Sequence, residues 1–402
     1  MTDSEVFVTD IATTVVDLFA PTNFSERVAS TNSPVFVYSS PRYDTGTNTS
    51  LDNVTDPPPM AGFPESFETT IRIVVPTIIA IIAIIGLIGN GTVLYIIFKY
   101  REMQNITNYF IANLAVTDVA MLAICAIPTA ANIAGMPIGE GLCKGINYMQ
   151  FVTVQATCCT LTAMSIDRYL LIVHAVKSRN TRTTTRAIIV NVAVWIGSFI
   201  VHSPVAIFYR LEKGDCYLYM GHDGAGARFY YLGSFLSMYV VPLVVILMCY
   251  AKILVIVWRK TSAGTESAQA HERSIRQKRK ITRMVFIVVL LFAVCWAPIH
   301  CILLWDKFRK NFDLSLTTEM AVTVLRLFAF CLSYANSLTN PFIYAFTTAS
   351  FKKHFKRVLS CSTRNETTDT KSMGPSNTYK KIGKFLVESQ STFKTRQPAQ
   401  DV

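Results

Sequence analysis

The chain has 402 residues, a net charge of +12, 51% hydrophobic residues and only 16% charged ones. Soluble domains carry about 25% charged residues, so an ordinary water-soluble globule is excluded. The bases lie beside long apolar windows rather than in one patch, which argues for a membrane and against nucleic acid as the partner.

Residues 1–70 are rich in Ser, Thr, Asn, Pro and acid, with Pro57-Pro58-Pro59, and read as a disordered segment. Ten acids, among them Asp10, Glu26, Asp56 and Glu68, face only Arg27 and Arg42. No basic region followed by an apolar core opens the chain, so the first span is expected to be its own insertion signal. Three glycan sequons begin at Asn23, Asn48 and Asn53.

Seven long apolar windows follow: Ile73 to Phe98, Ile106 to Gly135, Gly145 to Ile166, Ala187 to Tyr209, Phe229 to Ala251, Met284 to Trp305 and Leu327 to Ala349. A spanning helix needs about 20 apolar residues. Barrel strands are about 10 residues with alternating polarity, which these are not. The predicted fold class is therefore an all-α membrane protein, a seven-transmembrane helix bundle over 71–349. Lys177, Arg179, Arg182 and Arg186 fall between the third and fourth windows. A base-rich run faces Glu266 and Glu272 before the sixth, and Lys352, Lys353, Lys356 and Arg357 follow the seventh. Lys and Arg collect on the cytoplasmic side. The expectation is a plasma-membrane protein with its amino terminus outside and its carboxyl terminus inside.

Of ten Cys, Cys143 and Cys216 alone fall at positions placed outside, where disulfides persist. A bridge between them is expected; two free thiols are the alternative. Asp118 lies near the middle of the second window, where a charge costs at least about 2.5 kcal/mol. With Asn90, Thr157, Asn336, Ser337 and Asn340 at compatible depths, it reads either as a sodium-holding carboxylate or as a protonated donor in a packed core. Asp167-Arg168-Tyr169 sits at the inner end of the third window. Arg168 either snorkels to the headgroups or is restrained by Asp167 until a partner protein arrives. Pro128, Pro204, Pro242, Pro298 and Pro341 bend their helices, although prolines are common in membrane helices in any case.

Taken together, these residues resemble the rhodopsin-like (class A) G protein-coupled receptors over about residues 70–360. The motifs are Gly89-Asn90, Leu114-Ala115-Val116-Thr117-Asp118, Cys143, Asp167-Arg168-Tyr169, Trp195, Pro242 with Tyr250, Phe292 with Cys295-Trp296-Ala297-Pro298, and Asn336-Ser337 with Asn340-Pro341-Phe342-Ile343-Tyr344. Phe351, Phe355, Val358 and Leu359 form one stripe of the family's amphipathic eighth helix, here 350–360. Cys361 then resembles an S-palmitoylation site, and 361–402 read as a disordered cytoplasmic tail. The resemblance implies a heterotrimeric G protein as partner, no cofactor beyond an allosteric sodium ion, and no enzymatic chemistry. Asp118, Thr157, Asn336 and Ser337 would form the sodium site. Trp296, Phe292 and Pro242 would relay agonist binding, and Arg168, Tyr250 and Tyr344 would meet in the active state. Ser360, Ser362, Thr363, Thr367, Thr368 and Thr370 would be read by receptor kinases and arrestin. Two departures stand out. Lys278-Arg279-Lys280 replaces an acid that some members place opposite Arg168, leaving it Asp167 and Thr282, so appreciable basal activity is expected. Met136 stands where many members have Trp.

Gln150 occupies the position where amine receptors carry Asp, and Tyr334 the position of the opsin Lys, which leaves a peptide as the best remaining ligand class. The run Asn147 to Arg168, with Asn108 to Ala115 and Cys331 to Ser337, resembles kisspeptin receptors; galanin and allatostatin-A receptors match the third window less well. This implies an amidated neuropeptide ligand and a Gq-class G protein, with a galanin or allatostatin-A type receptor coupled to Gi as the alternative. The implied pocket is Gln150, Val154 and Gln155, then Ile299, His300 and Leu303, then Arg326, Phe330 and Tyr334. Each could equally be ordinary interhelical packing. Glu140, Asp215, Asp306 and Glu319 are candidate acids for a ligand's arginine. A transporter or channel would show internal repeats and broken helices at the midplane, which are not seen. An intramembrane enzyme would need paired carboxylates, His-Glu-x-x-His or Gly-x-Ser-x-Gly, also not seen.

Overall fold

The computed structural model describes residues 63–174, 176–179, 181–212, 215–220, 224–259, 268–308 and 315–359. The sequons at Asn23, Asn48 and Asn53, the tail residues from Ser360 onward and Cys361 lie outside the described residues. The chain divides into two units, Met1–Lys352 and Lys353–Val402.

Among the described residues, seven helices are long and apolar enough to cross a membrane: α1 Glu65–Lys99, α2 Ile106–Ile133, α3 Glu140–Val173, α4 Thr184–Phe208, α5 Ala225–Ile256, α6 Thr282–Phe308 and α7 Leu316–Thr347. Several run past their apolar windows. Helix α1 begins at Glu65 rather than 71, and α6 continues back to Ala268. A helix that leaves the hydrocarbon keeps its own hydrogen bonds, so polar turns extend it without an apolar signal. Caps mark the true starts: Asn105, Thr183 and Ser315 accept from the backbone N–H of Asn108, Arg186 and Thr318.

Prolines locate the irregularities. A π-helical stretch, Met121–Ala126, precedes Pro128 in α2, and another, Leu236–Val240, precedes Pro242 in α5. Helix α4 breaks at His202, just before Pro204. Wide turns absorb the missing donor and the ring clash of a proline.

Helix α3 is the packing centre, touching α2, α4, α5 and α6. Helix α1 lies against α2 and α7. Small residues allow that close approach: a Cβ on Gly86 would fall 2.4 Å from Leu122 Cδ1, and one on Gly89 3.0 Å from Pro341 Cγ. Asn90 stitches the same seam, donating to the Gly86 and Ser337 carbonyls at 2.9 Å each.

A two-stranded antiparallel hairpin, β1 Tyr209–Glu212 and β2 Asp215–Leu218, covers one end of the bundle. Nothing in the hydropathy marks it. Cys216 of β2 is joined to Cys143 near the start of α3, with Cα atoms 5.9 Å apart. This end is called the disulfide end below. At the opposite end, α8 (Ala349–Leu359) follows α7, and its Phe351 is fully buried with its ring 5.7 Å from that of Tyr344. Within the second unit, α8 exposes Lys353, Lys356 and Arg357 while burying His354.

Candidate functional site

An apolar cavity opens between α3, α5 and α6 at the disulfide end. Gln150 and Val154 of α3 line it, as do His300 and Leu303 of α6. These are four of the nine pocket residues expected above. Phe151, Tyr231, Ser234, Phe235, Met238, Trp296 and Leu304 complete the wall. The α5 members had no motif to mark them, and Trp296 had been assigned to the relay alone.

The other five expected pocket residues are not part of this lining. Gln155 turns toward α4, its Oε1 lying 3.4 Å from His202 Nε2. Tyr334 reaches α2, its hydroxyl 3.4 Å from Thr129 Oγ1, and also lies beside Gln150 of the cavity. Arg326 pairs with Asp306 at 2.6 Å. Ile299 and Phe330 are buried in the core.

The cavity floor is polar at isolated points. Among the described residues, Trp296 Nε1 and His300 Nε2 are buried without a hydrogen-bond partner, and the buried Gln150 carboxamide has the Tyr334 phenol beside it. A carboxamide has two donors and an acceptor to satisfy, more than one phenol can meet. Such a group suits a site that a polar ligand completes. Around it stand aromatic rings: Trp296 lies 6.0 Å from His300 and 6.1 Å from Phe292, and Tyr239 lies 5.1 Å from His300. The column Phe292, Trp296, His300 therefore runs from the cavity toward the bundle centre on one face of α6, the spacing of a helical stripe.

A second network secures the cavity's α5 wall. His202, at the α4 break, meets Tyr230 Oη at 2.7 Å. Tyr231 Oη meets Tyr209 Oη, at the start of β1, at 2.9 Å. Burial pushes the Tyr209 phenol up from its ordinary range, so it stays protonated and available as a donor. The disulfide hairpin is thus pinned to the cavity wall by a phenol pair as well as by Cys143.

Of the candidate acids, Glu140 pairs with Lys144 at 2.8 Å and is half exposed. Glu319 is exposed. The Asp215 side chain lies outside the described residues. Asp306 is buried, and Arg326 bonds one of its oxygens.

In mid-bundle, Asp118 is 1% exposed and its Oδ2 accepts from Asn340 Nδ2 at 2.8 Å. Ser337 is its second side-chain partner. Thr157 Oγ1 lies 3.1 Å from Thr117 Oγ1, the residue before Asp118 in its motif. Among the described residues, Asn336 Oδ1 and Asn90 Oδ1 are buried acceptors without a partner. Oxygen acceptors in excess of donors suit a small hard cation. Of the four residues expected to hold sodium, Asp118 and Ser337 are brought together; Thr157 meets Thr117, and Asn336 offers a buried oxygen.

At the opposite end, Arg168 is 2% exposed, pairs with Asp167 at 3.0 Å and donates to Thr107 Oγ1 of α2. Thr107 had not been anticipated; Thr282 gives its backbone carbonyl to Tyr250 Oη at 3.3 Å. Arg182 also bonds Asp167, through Nε at 2.7 Å and Nη2 at 3.0 Å. Tyr169 Oη lies 3.1 Å from His174 Nε2, and Tyr344 Oη is buried without a partner among the described residues. Pro298 and Pro341 lie inside α6 and α7. The side chains of Lys278 and Arg279 are outside the described residues, and Lys280 is exposed.

Seven helices long and apolar enough to cross a membrane, a small apolar recess at one end and a restrained buried arginine at the other accord with a multi-pass membrane receptor. The family described as 7 transmembrane receptor (rhodopsin family) matches residues 89–344, and the chain belongs to it. The G-protein coupled receptor 54 of Oreochromis niloticus is 36% identical over 329 residues, covering 78% of this chain and 85% of that protein. The KiSS-1 receptor of Homo sapiens is 36% identical over 301 residues, covering 72% and 75%. The allatostatin-A receptor of Bombyx mori is 32% identical over 307 residues, covering 74% and 82%. These relatives are receptors, not enzymes.

Proposed function

We propose that this chain is a plasma-membrane receptor for a C-terminally amidated neuropeptide of kisspeptin type, with its disulfide end outside the cell. In this reading it signals through a Gq-class heterotrimeric G protein engaged at the opposite end. The observation that carries it is Gln150, a buried carboxamide lining an aromatic cavity, with hydrogen-bonding capacity that the neighbouring Tyr334 phenol does not exhaust. A carboxamide offers donors and an acceptor. A ligand ending in a carboxamide answers both reciprocally, whereas a free carboxylate is acceptor-only and would face Gln150 Oε1. The rings of Phe151, Tyr231, Phe235 and Trp296 suit an aromatic final residue. The likeness to receptors named for KiSS-1 supports the ligand class. Basic residues collected at the end away from the disulfide support the orientation.

Displacement of Trp296 by the ligand would move the inner half of α6 about Pro298, freeing Arg168, Tyr250 and Tyr344 to meet the G protein. Receptor kinases and arrestin would then read the phosphorylated tail, with Cys361 palmitoylated in the membrane lipids. Calcium and cAMP responses in transfected cells, with amidated kisspeptin, galanin and allatostatin-A peptides and their free acids, test the reading. The expected result is a calcium response to the amidated kisspeptin peptide, weaker by at least about tenfold for its free acid. A response confined to galanin or allatostatin-A, with a fall in cAMP, overturns the ligand and G protein class. Equal potency of amide and acid overturns the role of Gln150.

A further inference from the structure

Three consecutive residues in the wide turn of α5 are bonded to two other helices. The Ser237 carbonyl accepts from Gln155 Nε2 of α3 at 3.5 Å, and the Met238 carbonyl accepts from the Cys158 thiol of the same helix. Tyr239 Oη donates to the Ala293 carbonyl of α6 at 2.8 Å. A wide turn departs from the regular helical ladder, so its carbonyls can face a neighbour, and here α3 takes them up. The turn is thereby fixed to the packing centre, and Tyr239 carries that fixed point across to α6.

Ala293 lies in the stretch of α6 just before Pro298, next in sequence to Phe292. A proline in a helix interior weakens the turn before it, and neighbouring side chains re-satisfy the backbone groups it frees. The Tyr239 ring stacks on Phe235 at 5.7 Å and lies 5.1 Å from His300, both of which line the cavity. It is also 6.4 Å from Phe292. Tyr239 does not itself line the cavity. It supports two of the cavity's side chains from behind while its hydroxyl holds the backbone of α6.

We propose that Tyr239 is a positioning residue, a tether that keeps the inner half of α6 in its resting place and releases it when an occupant of the cavity shifts Phe235 or His300. The proposal rests on the reading above that α6 moves about Pro298. Arg168 is held by Asp167 and Thr107 in this structure, so the bonds seen here belong to the restrained state. Ala293 is five residues inward of Pro298, about 7.5 Å along the helix. Even a swing of about 20° moves a carbonyl at that distance by roughly 2.5 Å, beyond the reach of a hydrogen bond. A bond made in one state alone shifts the equilibrium toward that state by its own free energy.

GTP turnover without agonist tests this, in membranes holding the full chain and supplied with a Gq or a Gi heterotrimer. Tyr239→Phe keeps the ring and removes the donor, and should raise turnover about fivefold, the equivalent of one ordinary hydrogen bond. Tyr148→Phe is the control. The Tyr148 hydroxyl donates to the Phe199 carbonyl at 2.9 Å, a bond of the same kind between α3 and α4 that does not involve α6. Its loss should leave turnover at the wild-type value. Surface display is measured for each variant; should Tyr239→Phe fail to reach the surface, Tyr239→Leu is read in its place with the same expectation. No rise on loss of the Tyr239 hydroxyl, or an equal rise in Tyr148→Phe, overturns the tether and leaves the receptor reading intact. Turnover no higher than in empty membranes, for the wild type and every variant, overturns the G protein reading and the tether together.

Discussion

Arg182 grips both oxygens of Asp167, through Nε at 2.7 Å and Nη2 at 3.0 Å, so the acid that restrains Arg168 is shared between two guanidinium groups. A carboxylate divided in this way holds each partner less firmly than one held alone. Removing Arg182 should return Asp167 wholly to Arg168. We expect Arg182→Gln to lower GTP turnover without agonist by about fivefold, the equivalent of about 1 kcal/mol. Thr107→Ala removes the other partner of Arg168 and should raise it. Unchanged turnover in both variants would show that this cluster does not set basal activity.

The mid-bundle site predicts a sodium effect. Sodium chloride should weaken agonist binding to the wild type more than choline chloride does at equal ionic strength. Asp118→Asn should abolish the difference, because only the carboxylate among the four oxygens carries charge. A sodium effect that survives the substitution would leave Asp118 as a hydrogen-bonding core residue, the other reading of its sequence position.

The seam between α1 and its neighbours has no spare room. Gly89→Ala meets the rigid ring of Pro341 at 3.0 Å, while Gly86→Ala meets the movable methyl of a Leu122 that is itself fully buried. Overpacking of this kind costs about 1–3 kcal/mol. Both variants should lower the midpoint of thermal unfolding in detergent, and Gly91→Ala, with nothing within 4 Å, should not.

Orientation is tested by the sequons. Replacing Asn23, Asn48 and Asn53 by Gln should remove the mobility shift produced by enzymatic deglycosylation. A shift that persists would mean the glycans sit elsewhere.

The seven apolar windows were plain in the sequence because lipid imposes a long uninterrupted apolar run on any crossing helix. The helix ends were not, since polar turns such as Glu65 to Arg72 and those before Thr282 keep helical hydrogen bonds in water. The hairpin at Tyr209–Leu218 left no trace, because four-residue strands carry almost no period. The site was half legible. Helical spacing tells which residues share a face, and Gln150, Val154, His300 and Leu303 do line the cavity. It does not tell which neighbour that face meets. Helix α3 has neighbours on all sides, so Gln155 on the same helix turns to His202 instead. The α5 wall was missed since Tyr231, Ser234 and Phe235 resemble any lipid-span residues until α6 is placed opposite them.

The wide turn at Leu236–Val240 divides α5 into two halves, one bearing Tyr231 and Phe235, the other Tyr250. Each residue of a helix advances the side-chain direction by about 100°, so the extra residue held in that turn sets the rotation between the halves. Sequence above it can drift to suit a new ligand while the half below keeps its register for the inner partner. Chimeric receptors joined within this turn should therefore preserve both faces provided its length is kept. A single-residue deletion there, at a position other than the cavity residue Met238, would swing the wall that bears Tyr231 and Phe235 round by a quarter-turn or more.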